Sequence, residues 1–181
     1  MRIVGGRFRG RALKGPASDA IRPTSDCLRE TIFNILAHSY DDAIEGARVL
    51  DLFARTGAMG LEALSRGAAR ADFVETRPSS LHALRANVAA LRVRERTRIF
   101  KRDALPFAAA LVADSYDLAF LDPPYGSRML DRVLESWRAQ AFARVLAVEH
   151  ARTHDLPAGA RRLAFDDTLV TVYRAAPPPT A

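Results

Sequence analysis

Residues 48–60 read Arg48-Val49-Leu50-Asp51-Leu52-Phe53-Ala54-Arg55-Thr56-Gly57-Ala58-Met59-Gly60. An apolar run of strand length carries an acid, two glycines follow within a few positions, and Leu61 to Ser65 continues as a helix closed by Gly67. Strand, glycine turn and helix in succession form the repeating unit of parallel sheets. The alternation recurs downstream. Asp72-Phe73-Val74-Glu75 is a second strand, and Leu81, Leu84, Val88 and Leu91 mark a helix that Pro78 and Ser79 start. Arg98-Ile99-Phe100 is a third strand, followed by a helix over 104–112. Leu118-Ala119-Phe120-Leu121, unbroken and apolar, is a fourth strand buried on both faces. A helix over 128–139 leads to a fifth, Val145-Leu146-Ala147-Val148-Glu149. Arg161 to Phe165 and Leu169 to Tyr173, joined by Asp166-Asp167, read as a hairpin. The pattern predicts an α/β fold, a doubly wound and mostly parallel sheet with an antiparallel strand at one edge.

Upstream of this core, Arg22-Pro23-Thr24-Ser25-Asp26 interrupts the chain and offers Ser25 and Asp26 as helix caps. Leu28, Ile32, Ile35 and Leu36 then recur at helical spacing, which predicts an amphipathic helix over 26–38. Ile3-Val4, Gly5-Gly6, Phe8 and Leu13 lack that period and read as a short basic hairpin or arm. The expected organisation is an arm over 1–22, a main domain over 23–175 and a disordered tail over 176–181 that contains Pro177-Pro178-Pro179.

Charge is concentrated at one end. Residues 1–22 carry Arg2, Arg7, Arg9, Arg11, Lys14 and Arg22 against Asp19 alone, six basic groups to one acidic, in a chain whose total is only +6. Of the 27 basic residues, 25 are arginine, whose planar fork suits phosphates and base edges. Such an arm is suited to a polyanion. Half the chain (49%) is apolar and 27% charged, the balance of an ordinary globular protein. Met1-Arg2-Ile3-Val4-Gly5-Gly6-Arg7 has no apolar core of a signal peptide, and no apolar run approaches the roughly 20 residues that span a bilayer. Cys27 is the single cysteine, which excludes an internal disulfide and suits a reducing compartment; a cytoplasmic location is expected. His38, His82, His150 and His154 show no ligand spacing, so no metal site is expected.

In a doubly wound sheet, ligands bind beyond the carboxyl ends of the strands at the switch point. Asp51, Gly57, Gly60, Glu75, Asp103 and Asp122 all fall at such ends. The glycines let backbone approach a ligand, and Glu75 is placed to accept ribose hydroxyls. Asp103 is placed to accept from an adenine amino group. Arg55 stands where a dinucleotide fingerprint has its first glycine, which argues against a nicotinamide dehydrogenase. Asp122-Pro123-Pro124-Tyr125 carries the chemistry. Two prolines stiffen the turn and remove two donors, leaving carbonyls as acceptors. Asp122 and the Pro123 carbonyl can then take the two hydrogens of one exocyclic amine, with Tyr125 as a stacking face.

These residues resemble the motifs of class I methyltransferases that modify amino groups of nucleic-acid bases. Arg2-Ile3-Val4-Gly5-Gly6, Arg22-Pro23-Thr24-Ser25-Asp26 with Arg29-Glu30 and Phe33-Asn34, and Gly60-Leu61-Glu62-Ala63-Leu64-Ser65-Arg66-Gly67-Ala68 resemble the RsmD family more closely. The resemblance implies a Rossmann-like fold, S-adenosylmethionine as cofactor, and transfer to the N2 amine of a guanine in small-subunit (16S) ribosomal RNA. It further implies that Asp51, Gly57 and Gly60 line the methionine end of the cofactor, Glu75 the ribose and Asp103 the adenine. Phe53, Thr56 and Ala104 complete that set. Asp122, Pro123, Pro124 and Tyr125 would hold the base, and Arg2, Arg7, Arg9, Arg11, Lys14 and Arg22 the RNA. The partner is ribosomal RNA, naked or within a small-subunit particle, bound by a monomer. Arg55 replaces a glycine of the family's cofactor loop; it either weakens cofactor binding or pairs with the cofactor carboxylate. Three alternatives stay open from the residues: adenine N6, a protein glutamine, and an RNA-binding homologue without catalysis.

Overall fold

The computed structural model describes residues 1–15, 26–124, 128–159, 161–165 and 167–176. Among these residues one seven-stranded sheet forms, in the spatial order β3-β2-β1-β4-β5-β7-β6. Its strands are β1 (Arg48–Leu52), β2 (Arg70–Val74), β3 (Thr97–Phe100), β4 (Tyr116–Leu121), β5 (Ala143–Ala151), β6 (Arg161–Phe165) and β7 (Thr168–Arg174). The helices are α1 (Asp26–Ser39), α2 (Ala58–Ser65), α3 (Pro78–Ala90), α4 (Ala104–Ala109) and α5 (Met129–Gln140). Strands β1 to β5 pair in parallel, β7 runs antiparallel to β5, and β6 antiparallel to β7.

The unbroken apolar strands feed two cores by alternation. In β4, Leu118 and Phe120 join a layer with α1, α2 and α3, while Ala119 and Leu121 join one with α4 and α5. The same alternation puts Asp122, one residue past β4, and Glu149, within β5, on the α1–α2 side, the side of Asp51 in β1. The chain runs outward from β1 to β2 and β3, then returns across β1 to begin β4, so the switch point lies between the carboxyl ends of β1 and β4.

The doubly wound sheet is as the sequence predicts, with two corrections. The terminal hairpin adds two antiparallel strands, and the later one, β7, lies inside, against β5. Its Val170, Val172 and Tyr173 are buried, whereas Arg161 and Arg162 at the start of β6 are exposed, as suits an edge. Helix α4 ends at Ala109 rather than 112. Beyond it Val112 is 70% exposed, so another turn of helix would bury nothing.

The N-terminal arm folds back on itself and onto the domain. Ile3 N–H donates to the Arg11 carbonyl at 2.9 Å and Leu13 N–H to that of Met1 at 3.0 Å, around a short 3₁₀ turn at Gly6–Phe8. Ile3 and Leu13 are buried in the same layer as α1. Glu62 of α2, fully buried, accepts from the N–H groups of Val4 at 2.8 Å and Gly5 at 2.7 Å and pairs with Arg66 at 2.8 Å. Ser65 Oγ donates to the Gly5 carbonyl at 2.6 Å and accepts from Phe8 N–H at 2.8 Å. Arg22, Ser25 and the tail over 177–181 lie outside the described residues.

Candidate active site

The β1–α2 loop is built from left-handed backbone: Phe53, Arg55 and Gly57 have φ of 63°, 51° and 79°. Gly57 begins α2, and a Cβ there would stand 2.4 Å from Leu84 Cδ1. At Gly60 a Cβ would stand 2.4 Å from the Phe73 ring. Packing of the turn against β2 and α3 therefore favours glycine at both positions.

Asp51 is buried and accepts from Gly60 N–H at 3.0 Å, which ties the loop's far end to the strand. Burial pushes its carboxyl up to about 8, with Asp122 and Glu75 adding to the effect. A carboxyl raised by folding favours the fold when neutral; that contribution is complete below its unfolded value, near 4, and disappears as pH rises through about 8. The melting temperature of Asp51→Asn should accordingly fall less between pH 6 and pH 9 than that of the wild type. Equal falls in thermal-shift measurements would mean that the charge on Asp51 carries no such penalty.

Glu75, also buried, accepts from Arg55 N–H with one oxygen and from Thr76 and Arg77 N–H with the other, each at 2.8 Å. A carboxylate has about four acceptor positions. Three being taken, Glu75 has about one left for a ribose hydroxyl, where the sequence reading assigned it both. Asp103 caps α4 through Leu105 N–H at 2.9 Å, stays exposed and lines the cavity. A cavity of about 140 Å³ is lined by Phe53, Arg55, Glu75, Asp103, Ala104 and Pro124, among others. Thr56 is buried outside it: its hydroxyl lies 3.8 Å from Met1 Sδ and its carbonyl accepts from Asn87 at 3.0 Å. Asn87 also holds both backbone groups of Lys14, so one side chain joins the arm to the loop.

Asp122 follows β4 with its side chain 17% exposed. Arg55 grips it: Nη1 lies 3.0 Å from Oδ2, and Nη2 lies 3.3 Å from Oδ1 and 3.4 Å from the main-chain carbonyl. Burial, then the charge of Glu149, pushes Asp122 up to about 7, and Arg55 pulls the other way. Because Leu121 is in register with Val148, Asp122 just past β4 and Glu149 near the end of β5 lie side by side. The same strand-end rule that selects Asp122 applies to Glu149, which the sequence reading placed in β5 without assigning it to the site. Pro123 is buried and Pro124 half-buried; Tyr125 lies outside the described residues.

Of the basic groups, Arg2 is engaged with Asp26 at 3.1 Å, while Arg7, Arg9, Arg11 and Lys14 are exposed on the arm. A larger hollow of about 840 Å³ lies at the opposite end of the strands, where Asp117 is paired with Arg48 and Asp41 with Arg174. Among the described residues no group of three or more potential ligands could hold a metal, and no helix is long and apolar enough to cross a membrane.

The family profile described as conserved hypothetical protein 95 matches residues 1–165. The chain is 33% identical over 162 residues to YlbH of Bacillus subtilis (strain 168), by name a candidate rRNA methyltransferase; the match covers 87% of this chain and 86% of that protein. It is 40% identical over 134 residues to ribosomal RNA small subunit methyltransferase D of Escherichia coli (strain K12), covering 74% of this chain and 65%, just under two thirds, of that enzyme. The solved structure of yhhF from Escherichia coli, described as a candidate methyltransferase, superposes with a TM-score of 0.82 at 32% identity, over 96% of this chain and 97% of that one.

Proposed function

Because the chain belongs to the RsmD family, whose profile covers residues 1–165, we propose that it transfers a methyl group from S-adenosylmethionine to the N2 amine of a guanine in small-subunit (16S) ribosomal RNA. The sheet is that of class I methyltransferases. One observation carries the reading. Asp122 and the stiff Pro123-Pro124 turn stand at the switch point, near a cavity whose lining suits a nucleoside. Phe53 gives an aromatic wall, and Glu75 and Asp103 give acceptors for hydroxyl and amino hydrogens. These residues fit the cofactor, with Asp51, Gly57 and Gly60 forming the loop at its methionine end. The bound cofactor supplies an electrophilic methyl carbon.

The protein's own part is to hold the amine. An amine conjugated to a purine is a poor nucleophile because its lone pair is delocalised. Two fixed acceptors, the Asp122 carboxylate and the turn carbonyl, orient it and favour positive charge developing on nitrogen. A carboxyl held up to about 7 is also matched to receiving the departing proton at neutral pH. The names of the relatives point to ribosomal RNA rather than to DNA or protein as the acceptor. The substrate is that RNA, naked or in a small-subunit particle, met by a monomer in the cytoplasm.

The experiment is methyl transfer from labelled cofactor to small subunits of a host lacking the gene, followed by nucleoside analysis. N2-methylguanosine is expected; label in N6-methyladenosine or in protein would overturn the assignment. The arm makes a second expectation. Neutralising Arg7, Arg9 and Arg11 together should flatten the salt dependence of RNA binding, reducing the slope of log K against log salt by about 2–3. An unchanged slope would remove the arm from the RNA interface.

A further inference from the structure

Arg55 has a left-handed backbone, φ 51°, in a loop where the same conformation falls to glycine at residue 57. Such backbone is strained for an L-residue and free of strain for glycine. The contact of its main-chain N–H with Glu75 is one that any residue but proline would make. What arginine adds is the fork on Asp122, with both carboxylate oxygens and the main-chain carbonyl within 3.0–3.4 Å of the guanidinium.

We propose that Arg55 is a positioning residue for methyl transfer, its guanidinium fixing the Asp122 carboxylate as an acceptor for the target amine and bracing the start of the turn through the Asp122 main-chain carbonyl. The inference rests on the reading of the protein as an amine methyltransferase and deepens it. A guanidinium that takes one position on each carboxylate oxygen leaves about two others for the amine. The fork also sets the carboxylate plane, which a freely rotating side chain would not hold. Arginine is therefore compatible with a working site.

The surroundings explain why a cation is needed there. Asp122 faces Glu149 on the adjacent strand β5, Asp51 lies on β1, and Glu75 follows β2. Burial and the charge of Glu149 favour the protonated acid, and a protonated Asp122 would present a donor where the amine requires an acceptor. Arg55 opposes that trend from the β1–α2 loop. It lines the cavity and joins Glu75, through its main-chain N–H, to Asp122, through its guanidinium, so it stands where the proposed cofactor and base sites meet.

The test compares wild type, Arg55→Gly and Arg55→Lys. Glycine suits the backbone at this position, so that variant retains the loop. The pH profile of kcat/KM between pH 6 and 9 should move on its acid side by about one unit upward in Arg55→Gly, a loss of about tenfold at pH 6.5 that narrows by pH 8.5. Lysine, a point charge without the fork, should fall between the two. Affinity for S-adenosylhomocysteine, by calorimetry, should be unchanged or higher in Arg55→Gly. An unmoved acid limb would overturn the proposal. So would a glycine variant faster than wild type at every pH, because Arg55 would then be competing with the amine. A second readout separates this inference from the functional one. NMR titration of the Asp122 carboxyl needs no RNA, and its midpoint should rise in Arg55→Gly. If wild type fails to methylate RNA, the functional reading falls while this midpoint still decides the role of Arg55; no change in it would overturn that role.

Discussion

Asp122→Ala is expected to lower methyl transfer by about 10²–10³-fold, the loss typical of removing a preorganised polar group aimed at developing charge. The residue is not part of the lining of the cavity formed by Phe53, Glu75 and Asp103, so affinity for S-adenosylhomocysteine is expected to stay nearly that of wild type. Folding should also be little affected. Alanine removes a buried carboxyl next to Glu149, relieving repulsion, and leaves Arg55 with 22% of its side chain exposed to water. Single-turnover kinetics beside calorimetry check this. Parallel losses of transfer and cofactor affinity would mean that Asp122 belongs to the cofactor site. Asp122→Asn sharpens the result, since the amide keeps the size and one acceptor but loses the charge.

Glu62→Ala is expected to have the largest effect on stability. The side chain is wholly buried, accepts from two backbone N–H groups of the arm and pairs with Arg66. Removing one member of a buried, hydrogen-bonded pair costs about 3–5 kcal/mol, a large share of the 5–15 kcal/mol that a domain commands. At about 2–4 °C per kcal/mol for a chain of this size, melting falls by roughly 10 °C. Arg66 would keep its place over the Phe33 ring, 5.1 Å from the centroid, so the damage should concentrate on the arm. RNA affinity should fall with stability, because Arg7, Arg9 and Arg11 are presented by the segment that Glu62 anchors. A melting temperature within about 2 °C of wild type would show that the carboxylate is not what seats the arm.

The sheet was legible because its strands are short, apolar and separated by helical stretches with proline or glycine at their ends. Leu118 to Leu121 could be read as central since nothing in it faces water. The position of Asp122 followed from the same strand. What failed to appear depends on contacts between distant residues. The hold of Arg55 on Asp122 spans 67 positions, and nothing near Arg55 announces it. The three backbone N–H groups on Glu75 arise from loop geometry that side-chain chemistry does not encode. Two features did leave a signal. Glu149 closes an apolar strand just as Asp122 follows one. The order of the hairpin could be read from Arg161-Arg162 in one strand and Val170-Thr171-Val172 in the other, as charges favour an edge and an uncharged, β-branched run an interior. The arm reads from its sequence as a short basic hairpin or arm; the burial of Ile3 and Leu13 shows that its apolar residues anchor it while Arg7, Arg9 and Arg11 remain outside.

The placement of β7 between β5 and β6 bears on how the protein is made. Strand β5 ends at Ala151 and its neighbour β7 at Arg174, 23 residues later. During synthesis at about 5–20 residues per second, the outer edge of β5 therefore waits roughly 1–5 s for its partner. Its open N–H and C=O groups are in that interval a template for any strand nearby, including one from a neighbouring nascent chain on the same message. A ribosome that stalls before Thr168 would leave that seam open, and the truncated product would be prone to join its own kind.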